Sequence, residues 1–366
     1  MRPLLLGLAA LSLHAAGPGE VVLNLEPTAE HPRNSEGAFV TLRDGSVLFV
    51  HTQFYGGASD HSAARLVARR SADGGRIWDA SPRTVLENEG GANVMSVSLL
   101  RLQDGRLALF YLLKNSWLDC RPHVRFSSDE AESWSAPVRM ADAPGYFVLN
   151  NDRVIQLRGG RLLAPVAFHR SRGENPDSNK IFDSRAIALW LTSEDAGATW
   201  SETPQWQALP VPATRTGLQE PGIVELADGS LLSWFRTDQG VQYECRSTDR
   251  GYQWTAVAPG PMHSPASPAS LKLLPDGSLL GVWNDHSGEF AFEAGKRTPL
   301  VAAVSPDGGR TWPVKRLLED DPDGWYCYTA IHLLEDAVLL AYCAGDSKVG
   351  GLNRLRLRRL PLDMLR

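Results

Sequence analysis

The chain has 366 residues, a formal net charge of -5 and a pI near 6.0. Its 43% hydrophobic and 22% charged residues are typical of a globular protein with a sizeable core, which excludes a disordered or fibrous chain. The mild acidity argues against a general polyanion binder, so we expect no nucleic-acid partner. An acidic small ligand is compatible with this composition, because a few arginines can cluster locally on such a protein.

The first 16 residues have the pattern of a signal peptide. One basic residue, Arg2, precedes an apolar run over residues 4–13 and then small residues. The run is too short to cross a bilayer, and no later stretch approaches 18 uninterrupted apolar residues, so we expect no membrane span. Residues 17–366 would then be the mature chain of a secreted or periplasmic protein. The alternative is a buried N-terminal strand or helix in an intracellular protein.

A short turn motif recurs five times along the chain, in the frame S-x-D-x-G-x-T-W. The second copy has Ala131 in place of glycine and Ser133 in place of threonine. Aspartate can accept backbone N–H groups in a tight turn, glycine takes a positive φ, and tryptophan can pack between neighbouring repeats. The five aspartates are 56, 66, 54 and 58 residues apart, a period that suits one four-stranded blade of a β-propeller. The copies are SADGGRIW (71–78), SSDEAESW (127–134), SEDAGATW (193–200), STDRGYQW (247–254) and SPDGGRTW (305–312).

A second repeat alternates with the first and consists of two apolar strands joined by a tight turn. Six copies are present, and all but the last, which has Asp336-Ala337, carry a hairpin-forming dipeptide. Because there are six hairpins and only five boxed turns, the last blade has no boxed turn leading to a fourth strand. We expect residues 21–25, VVLNL, to supply that strand and close the ring, which removes an exposed sheet edge. The sequence predicts one all-β domain over residues 17–366, a six-bladed β-propeller.

The four cysteines, Cys120, Cys245, Cys327 and Cys343, show no C-x-x-C spacing, so we expect neither a zinc site nor a redox motif. Cys327 and Cys343 fall on two strands of one predicted hairpin. Export would permit a disulfide there, but the register is open, and buried free thiols are at least as compatible with the sequence.

Polar and charged side chains recur where the first strand of each hairpin begins and the second ends. These positions share one propeller face around the central channel, and unpaired charges at such a rim are costly without a function. The set comprises Glu36, Asp60, Asn93, Lys114, Asn151, Arg153, His169, Glu220, Arg236, Ser267, Asn284, Arg297, Tyr326 and Tyr328.

The boxes and hairpins resemble the sialidase superfamily, specifically its bacterial BNR-repeat branch, over nearly the whole of residues 17–366. Such enzymes bind a substrate carboxylate with three arginines, a task that suits the guanidinium fork. Arg297 is followed by Leu300 three residues later and by the boxed Asp307 ten residues later, which resembles the frame of the third arginine. Arg236 follows Glu220 by 16 residues and resembles the second arginine. Each could instead be a strand-end arginine paired with a box carboxylate.

The resemblance also implies a catalytic set without metal or cofactor. Sialidases use tyrosine as the nucleophile, glutamate as its base and aspartate as the acid. A neutral phenol avoids repulsion by a carboxylate on the anomeric carbon. Tyr328 is the nucleophile candidate and Tyr326 the alternative, since strand alternation puts both on one face. Glu220 would be the base, and Asp60 resembles the acid on a mobile loop, although a loop aspartate is often only a turn former.

One departure from the family falls in the first blade. The family begins that blade with Arg-Ile-Pro, whereas this chain reads HPRNSEGAFVTL, with Arg33 a few residues early and Glu36 where a cation is expected. A like charge beside a bound carboxylate weakens binding. Either Arg33 reaches into the site, or the ligand is another acidic sugar such as a uronic acid. Arg153, Asn93 and Tyr326 complete the predicted substrate-binding set.

The sequence therefore predicts an exported exo-glycosidase acting on terminal sialic acid or a related acidic sugar in a glycan. Two alternatives belong to other classes. A non-catalytic glycan-binding propeller would hold Tyr328 and Glu220 too far apart for proton transfer over about 3 Å. A polysaccharide lyase acting on uronic-acid glycans would use a base near His169 or Tyr328. The absence of the first arginine favours this alternative. Oligomeric state is left open by the sequence.

Overall fold

The computed structural model describes residues 17–365, so the predicted signal peptide at residues 1–16 lies outside the described residues. The secondary structure is almost entirely β, with two short 3-10 helices at Asn179–Ile181 and Leu362–Leu365. The strands are β1 (Glu20–Leu25), β2 (Arg33–Thr41), β3 (Val47–Phe54), β4 (Ala64–Ser71), β5 (Arg83–Leu86), β6 (Asn93–Arg101), β7 (Leu107–Lys114), β8 (Cys120–Ser127), β9 (Val138–Arg139), β10 (Tyr146–Val148), β11 (Ile155–Gln156), β12 (Leu162–Ser171), β13 (Phe182–Ser193), β14 (Ser201–Glu202), β15 (Gln219–Glu225), β16 (Leu231–Arg236), β17 (Val241–Ser247), β18 (Ala258–His263), β19 (Ser270–Leu273), β20 (Leu279–Asn284), β21 (Leu300–Ser305), β22 (Lys315–Glu319), β23 (Trp325–Leu333), β24 (Ala337–Gly345) and β25 (Leu355–Pro361).

These strands form six antiparallel blades, as predicted. Blades 1, 4 and 5 are the four-stranded sheets β2 to β5, β15 to β18 and β19 to β22. Blade 2 (β6 to β9) and blade 3 (β10 to β14) are joined into one sheet by a parallel bridge between Tyr146 and Cys120. In blade 3 the innermost strand is interrupted, since β10 and β11 pair with different parts of β12.

Ring closure occurs at blade 6, where the sequence placed it. The N-terminal strand β1 pairs with β25, with Glu20 opposite Arg359 and Leu25 opposite Leu355. The sheet order is therefore β1, β25, β24, β23, and the chain's first described strand completes its last blade. This pairing covers the edge that β25 would otherwise leave open.

The repeated aspartate box is a turn between the third and fourth strands of blades 1 to 5. In the first copy, Ser71 Oγ donates to Asp73 Oδ1 and accepts from Gly75 N, while Asp73 Oδ1 also accepts from the backbone N of Arg76 and Ile77. The second copy keeps this geometry although Ala131 replaces glycine, at φ 69°. The carboxylates are thus used within the turns, which confirms their structural role.

The box tryptophans pack at the seams between blades. Trp78 contacts the apolar cluster shared by blades 6 and 1, and Trp254 stacks on Trp190 of the preceding blade with ring centroids 4.2 Å apart. The buried apolar residues form clusters between adjacent blades, so each blade is held chiefly by its neighbours. Within residues 17–365 no helix is long and apolar enough to span a membrane.

Candidate functional site

A cavity of about 370 Å³ is lined by residues from all six blades. Its wall is charged on the side of blades 1, 4 and 5, presents the Tyr328 phenol from blade 6, and is largely apolar or aromatic on the side of blades 2 and 3. The lining residues are Glu36, Asp60, Met95, Ser96, Leu112, Lys114, Trp117, Tyr146, Val148, Asn150, His169, Phe182, Gln219, Glu220, Arg236, Arg297, Tyr328 and Leu352.

Four of these side chains enter the cavity from equivalent β-bulges. Glu36, Ser96, Glu220 and Tyr328 have φ values of 49°, 60°, 45° and 59°, and each lies where the register of its inner strand shifts. A non-glycine residue in this region is strained by about 1–3 kcal/mol and is maintained by the surrounding structure. A bulge re-aims a side chain that strand alternation would point elsewhere. The repeated bulges therefore bring two carboxyl groups, a hydroxyl and a phenol into the cavity.

Tyr328 and Glu220 meet across the cavity from blades 6 and 4. Tyr328 Oη donates a hydrogen bond of 2.9 Å to Glu220 Oε1. Burial raises the pKa of Tyr328 well above its ordinary value, and the Glu220 carboxylate adds to the effect. Burial also opposes ionisation of Glu220, but Arg236 and Arg297 outweigh it and hold the pKa of Glu220 below its usual range. The pair is a neutral phenol facing an ionised carboxylate, the arrangement needed for general-base activation.

Arg236 and Arg297 form the cationic part of the wall. Arg236 Nη1 donates to Glu220 Oε1 over 2.7 Å. Arg297 is 7% exposed, and its guanidinium lies 5.5 Å from the Tyr328 ring centroid and 5.3 Å from that of Trp325. Among the described residues, Arg297 Nε and Nη1 and Arg236 Nε have no oxygen or nitrogen partner. These buried donors can bind an anionic group.

Tyr326, the alternative nucleophile and a predicted substrate ligand, is separated from this site. It is 4% exposed, stacks edge-on with Tyr342 and lines a different cavity with Glu319 and Arg356. The expectation that Tyr326 and Tyr328 share a strand face is wrong, because the bulge after Cys327 interrupts the alternation between them.

Arg33 does not take the place of the missing first arginine. It is 1% exposed and lies behind the wall, where Nη2 donates to Glu36 Oε1 over 3.1 Å and Nη1 donates to Asp60 Oδ1 over 2.5 Å. Burial lowers the pKa of Arg33, but Asp60 and Glu36 more than offset this, and the guanidinium stays charged. The prediction that Arg33 contacts substrate therefore does not fit the cavity.

Glu36, in contrast, faces the cavity directly. Its Oε1 accepts from Arg33, and its Oε2 accepts from Ser96 Oγ at close range. Burial raises the pKa of Glu36, against the opposing effect of Arg33. A carboxyl group thus occupies the wall where the family frame has a cation.

Asp60 lies on the loop between β3 and β4, and its side chain is 58% exposed and lines the cavity. The loop is fixed from blade 2: Lys114 Nζ donates to Asp60 O over 2.7 Å, and Asn93 Nδ2 donates to the carbonyls of Asp60 and Ser62. Burial would raise the pKa of Asp60, but Arg33 and Lys114 lower it below its ordinary range. Asn93 therefore supports the loop that carries Asp60 and is not among the cavity-lining residues, contrary to its predicted contact with substrate.

Arg153 also lies away from the cavity. It is 2% exposed and reaches toward blade 5, where Nη2 donates to Ala269 O over 2.7 Å and Nη1 donates to Ser270 Oγ over 3.2 Å. Its predicted substrate contact is therefore replaced by a role in joining blades 3 and 5 across the channel.

The sequence did not single out the aromatic side of the cavity. The His61 ring stacks on Trp117 at 3.6 Å, and His61 Nε2 lies 3.2 Å from Tyr146 Oη. Phe182 packs edge-on against Trp117 and Tyr146. These residues fall in loops or at strand ends, outside the hairpin frame. The signals that could have indicated them are local: His61 directly follows Asp60, and Trp117 lies three residues after Lys114.

The four cysteines are buried free thiols. Cys327 and Cys343 are direct partners across β23 and β24, and Cys343 Sγ lies 3.3 Å from Ser35 Oγ. The hairpin placement of this pair was therefore right, and of the two states left open the structure has the thiols. Across residues 17–365, no group of three or more His, Cys, Asp or Glu side chains could hold a metal ion.

The fold and the site define a sialidase-type β-propeller. The family model described as a BNR repeat-like domain matches residues 81–340, and the chain belongs to this family. Two curated relatives carry the name sialidase. The one from Paraclostridium sordellii is 26% identical over 60% of this chain and 56% of its own length, and the one from Micromonospora viridifaciens is 24% identical over 80% of this chain and 47% of its own length. The chain thus spans about half the length of these relatives.

Among solved structures, the intramolecular trans-sialidase from Ruminococcus gnavus, crystallised with oseltamivir carboxylate, superposes with a TM-score of 0.69. The alignment covers 94% of this chain and 97% of that one at 16% identity. At this identity the likeness establishes the shared fold alone.

Proposed function

We propose that the protein is an exported exo-glycosidase of the sialidase type that removes a terminal acidic sugar, sialic acid or a relative, from a glycan. The observation that carries the proposal is the 2.9 Å hydrogen bond from Tyr328 Oη to Glu220 Oε1 beside the free donors of Arg297. The phenol of a tyrosine with a raised pKa is a weak nucleophile unless a base takes its proton as the new bond forms. Glu220 is positioned to be that base.

In the first step, Tyr328 Oη attacks the anomeric carbon and passes its proton to Glu220. The bond from the anomeric carbon to the leaving oxygen breaks, and Asp60 donates a proton to that oxygen. Asp60 acts here in its protonated form, which Arg33 and Lys114 make less populated. In the second step, water gives a proton to Asp60 and its oxygen replaces the tyrosine on the sugar, while Glu220 returns its proton to Tyr328. The anomeric configuration is retained, because two displacements occur in sequence.

Arg236 and Arg297 are the proposed ligands of the substrate carboxylate. Both are largely buried, and removal from water strengthens their attraction for an anion. Arg236 has a second task, since its bond to Glu220 Oε1 keeps that carboxylate ionised. The relatives named sialidase support an acidic sugar as the substrate class.

This geometry argues against the non-catalytic alternative. It required Tyr328 and Glu220 to lie too far apart for proton transfer, whereas their oxygens are in hydrogen-bond contact. The lyase alternative has one specific observation in its favour, because Glu36 stands where the family frame has a carboxylate-binding arginine. The two reactions differ in their products: a lyase leaves an unsaturated sugar and consumes no water.

The test uses residues 17–366 and a panel of fluorogenic 4-methylumbelliferyl glycosides: an α-sialoside and both anomers of D-glucuronide and D-galacturonide. We expect release of the fluorophore from at least one of them, and loss of that release in Tyr328→Phe and Glu220→Ala. If the wild type releases no more fluorophore from any glycoside than Tyr328→Phe does, the proposal is contradicted. An unsaturated product detected by mass spectrometry after incubation with a uronic-acid polysaccharide supports the lyase instead.

A further inference from the structure

Glu36 and the nucleophile candidate lie side by side on the inner strands of blades 1 and 6. Asn151 Nδ2 donates to the carbonyl of Gly37, the residue after Glu36, over 2.9 Å and to the carbonyl of Tyr328 over 3.0 Å. This one amide joins the two bulges. The backbone that follows Glu36 is therefore held close to the backbone of Tyr328, and both side chains line the same cavity.

Glu36 is also linked to the acid candidate. Arg33 bridges the two carboxyl groups, with Nη2 donating to Glu36 Oε1 over 3.1 Å and Nη1 donating to Asp60 Oδ1 over 2.5 Å. Glu36 is thus linked through one arginine to the residue proposed to protonate the leaving oxygen and through one amide to the residue proposed to attack the anomeric carbon. All three side chains line the same cavity.

The chemistry available to Glu36 is that of an acceptor. Each of its oxygens has one protein donor, from Arg33 and Ser96, and a carboxylate oxygen can accept a second hydrogen bond. Because Glu36 lines the cavity, a ligand hydroxyl can supply that second donor. Its burial makes a hydroxyl a favourable neighbour and a second carboxylate an unfavourable one.

Acidic sugars differ at the carbon next to the anomeric carbon. In sialic acids this carbon is a methylene and the carboxylate is on the anomeric carbon itself. In hexuronic acids it carries a hydroxyl, and the carboxylate lies across the ring oxygen on the other side of the anomeric carbon. Hydrogen bonds to this hydroxyl strengthen in the transition state of glycoside hydrolysis.

We propose that Glu36 is a specificity-determining residue that accepts a hydrogen bond from the hydroxyl beside the anomeric carbon, so that the substrate class is a hexuronic-acid glycoside. The sugar then spans the cavity, with its carboxylate on Arg236 and Arg297 and its hydroxyl on Glu36. The inference rests on the proposed function and narrows its substrate.

The experiment compares kcat/KM for the α-sialoside and the glucuronide and galacturonide anomers in the wild-type chain and in Glu36→Ala and Glu36→Gln. We expect the wild type to favour one uronide over the sialoside on the order of 10²-fold, because a site built for a substrate hydroxyl discriminates against a sugar that lacks it. Glu36→Ala should lower kcat/KM for that uronide by a similar factor and change it for the sialoside by only a few-fold. Glu244→Gln, which alters a partly buried carboxylate on β17 that is not part of the cavity lining, is the matched control.

A measurement on the wild type alone keeps the inference testable if the variants fail to fold. By isothermal titration calorimetry, D-glucuronate or D-galacturonate should bind more tightly than N-acetylneuraminate. A wild type that hydrolyses the sialoside better than every uronide overturns the inference and leaves the proposed function standing. If the wild type hydrolyses no glycoside faster than Tyr328→Phe does, both the inference about Glu36 and the proposed function are overturned.

Discussion

Tyr326 and Tyr328 are two residues apart on one strand and open into different cavities. The φ of 59° at Tyr328 turns its ring toward Glu220, while Tyr326 packs against Tyr342 and lies in the cavity of Glu319. The two phenols therefore offer a matched pair of substitutions, identical in chemistry and opposite in expected effect.

We expect Tyr328→Phe to lower kcat at least 10³-fold, because the phenylalanine ring fills the same space without the attacking oxygen. Tyr326→Phe should leave kcat within a few-fold of the wild type. Steady-state kinetics on the best glycoside of the panel measure both. Equal losses in the two variants would contradict the assignment of Tyr328.

Arg297→Lys tests the carboxylate site. A lysine keeps the charge but cannot present the guanidinium fork, so KM should rise by about 10-fold to 100-fold with a smaller change in kcat. Arg310→Lys, an exposed position in the aspartate box of the same blade, is the control. An unchanged KM in Arg297→Lys would show that the carboxylate is bound elsewhere.

The Arg33→Gln variant distinguishes two roles for Arg33: positioning the proposed acid, Asp60, and contacting the substrate. Arg33 lowers the pKa of Asp60, and Asp60 must be protonated to act as an acid. Removing the cation raises that pKa, so the basic limb of kcat/KM against pH should move to higher pH, and kcat should fall about 10-fold or more as the loop loses its anchor.

A substrate-binding role for Arg33 would give a different result, namely a raised KM and an unmoved basic limb. Arg65→Gln, on β4 of the same blade, is the control, because Arg65 bonds to Gln53, pairs with Glu87 and, among the described residues, forms no hydrogen bond or ion pair with Asp60 or Glu36. Both variants are measured over the same pH range.

His51 should make stability depend on pH. It is 1% exposed, and burial lowers its pKa from 6.5 to about 4. The pKa of His51 is lower in the folded state than in the unfolded state. The stability that comes from keeping His51 neutral is therefore fully present above pH 6.5 and is lost as the pH falls toward 4. Between pH 7 and pH 5 this amounts to roughly 2 kcal/mol in the free energy of unfolding.

Urea unfolding at these two pH values measures the effect. His51→Gln should reduce the loss of stability between pH 7 and pH 5 by about that amount, whereas His263→Gln, at an exposed position, should not. An equal pH dependence in the wild type and His51→Gln would show that His51 is not buried in its neutral form.

The fold could be predicted closely because its signals are local. The serine, aspartate and glycine of each box satisfy one another within a few residues, so their pattern is legible in the chain. The count of boxes against hairpins also indicated that β1 would close the ring at β25. The parallel bridge from Tyr146 to Cys120 had no such signal and was missed.

The site could be predicted only in part, because its geometry depends on where each inner strand bulges. Glu220, Arg236, Arg297 and Tyr328 were selected by strand-end position together with the resemblance to sialidases, and the cavity brings them together. Arg33, Asn93, Arg153 and Tyr326 were also predicted to contact substrate and lie outside the cavity lining. Alternation along a strand predicts faces correctly only while the register is regular.

The sequence by itself determined the number of blades, the turns that space them and the polar residue types available at the ends of the inner hairpins. Only the tertiary structure decided which charges pair with one another and which remain free for a ligand. Arg33 is buried against Glu36 and Asp60, whereas Arg297 keeps two unpartnered donors. The reason is physical: pairing of buried charges depends on distances of a few ångströms between blades far apart in the chain, and local sequence does not encode those distances.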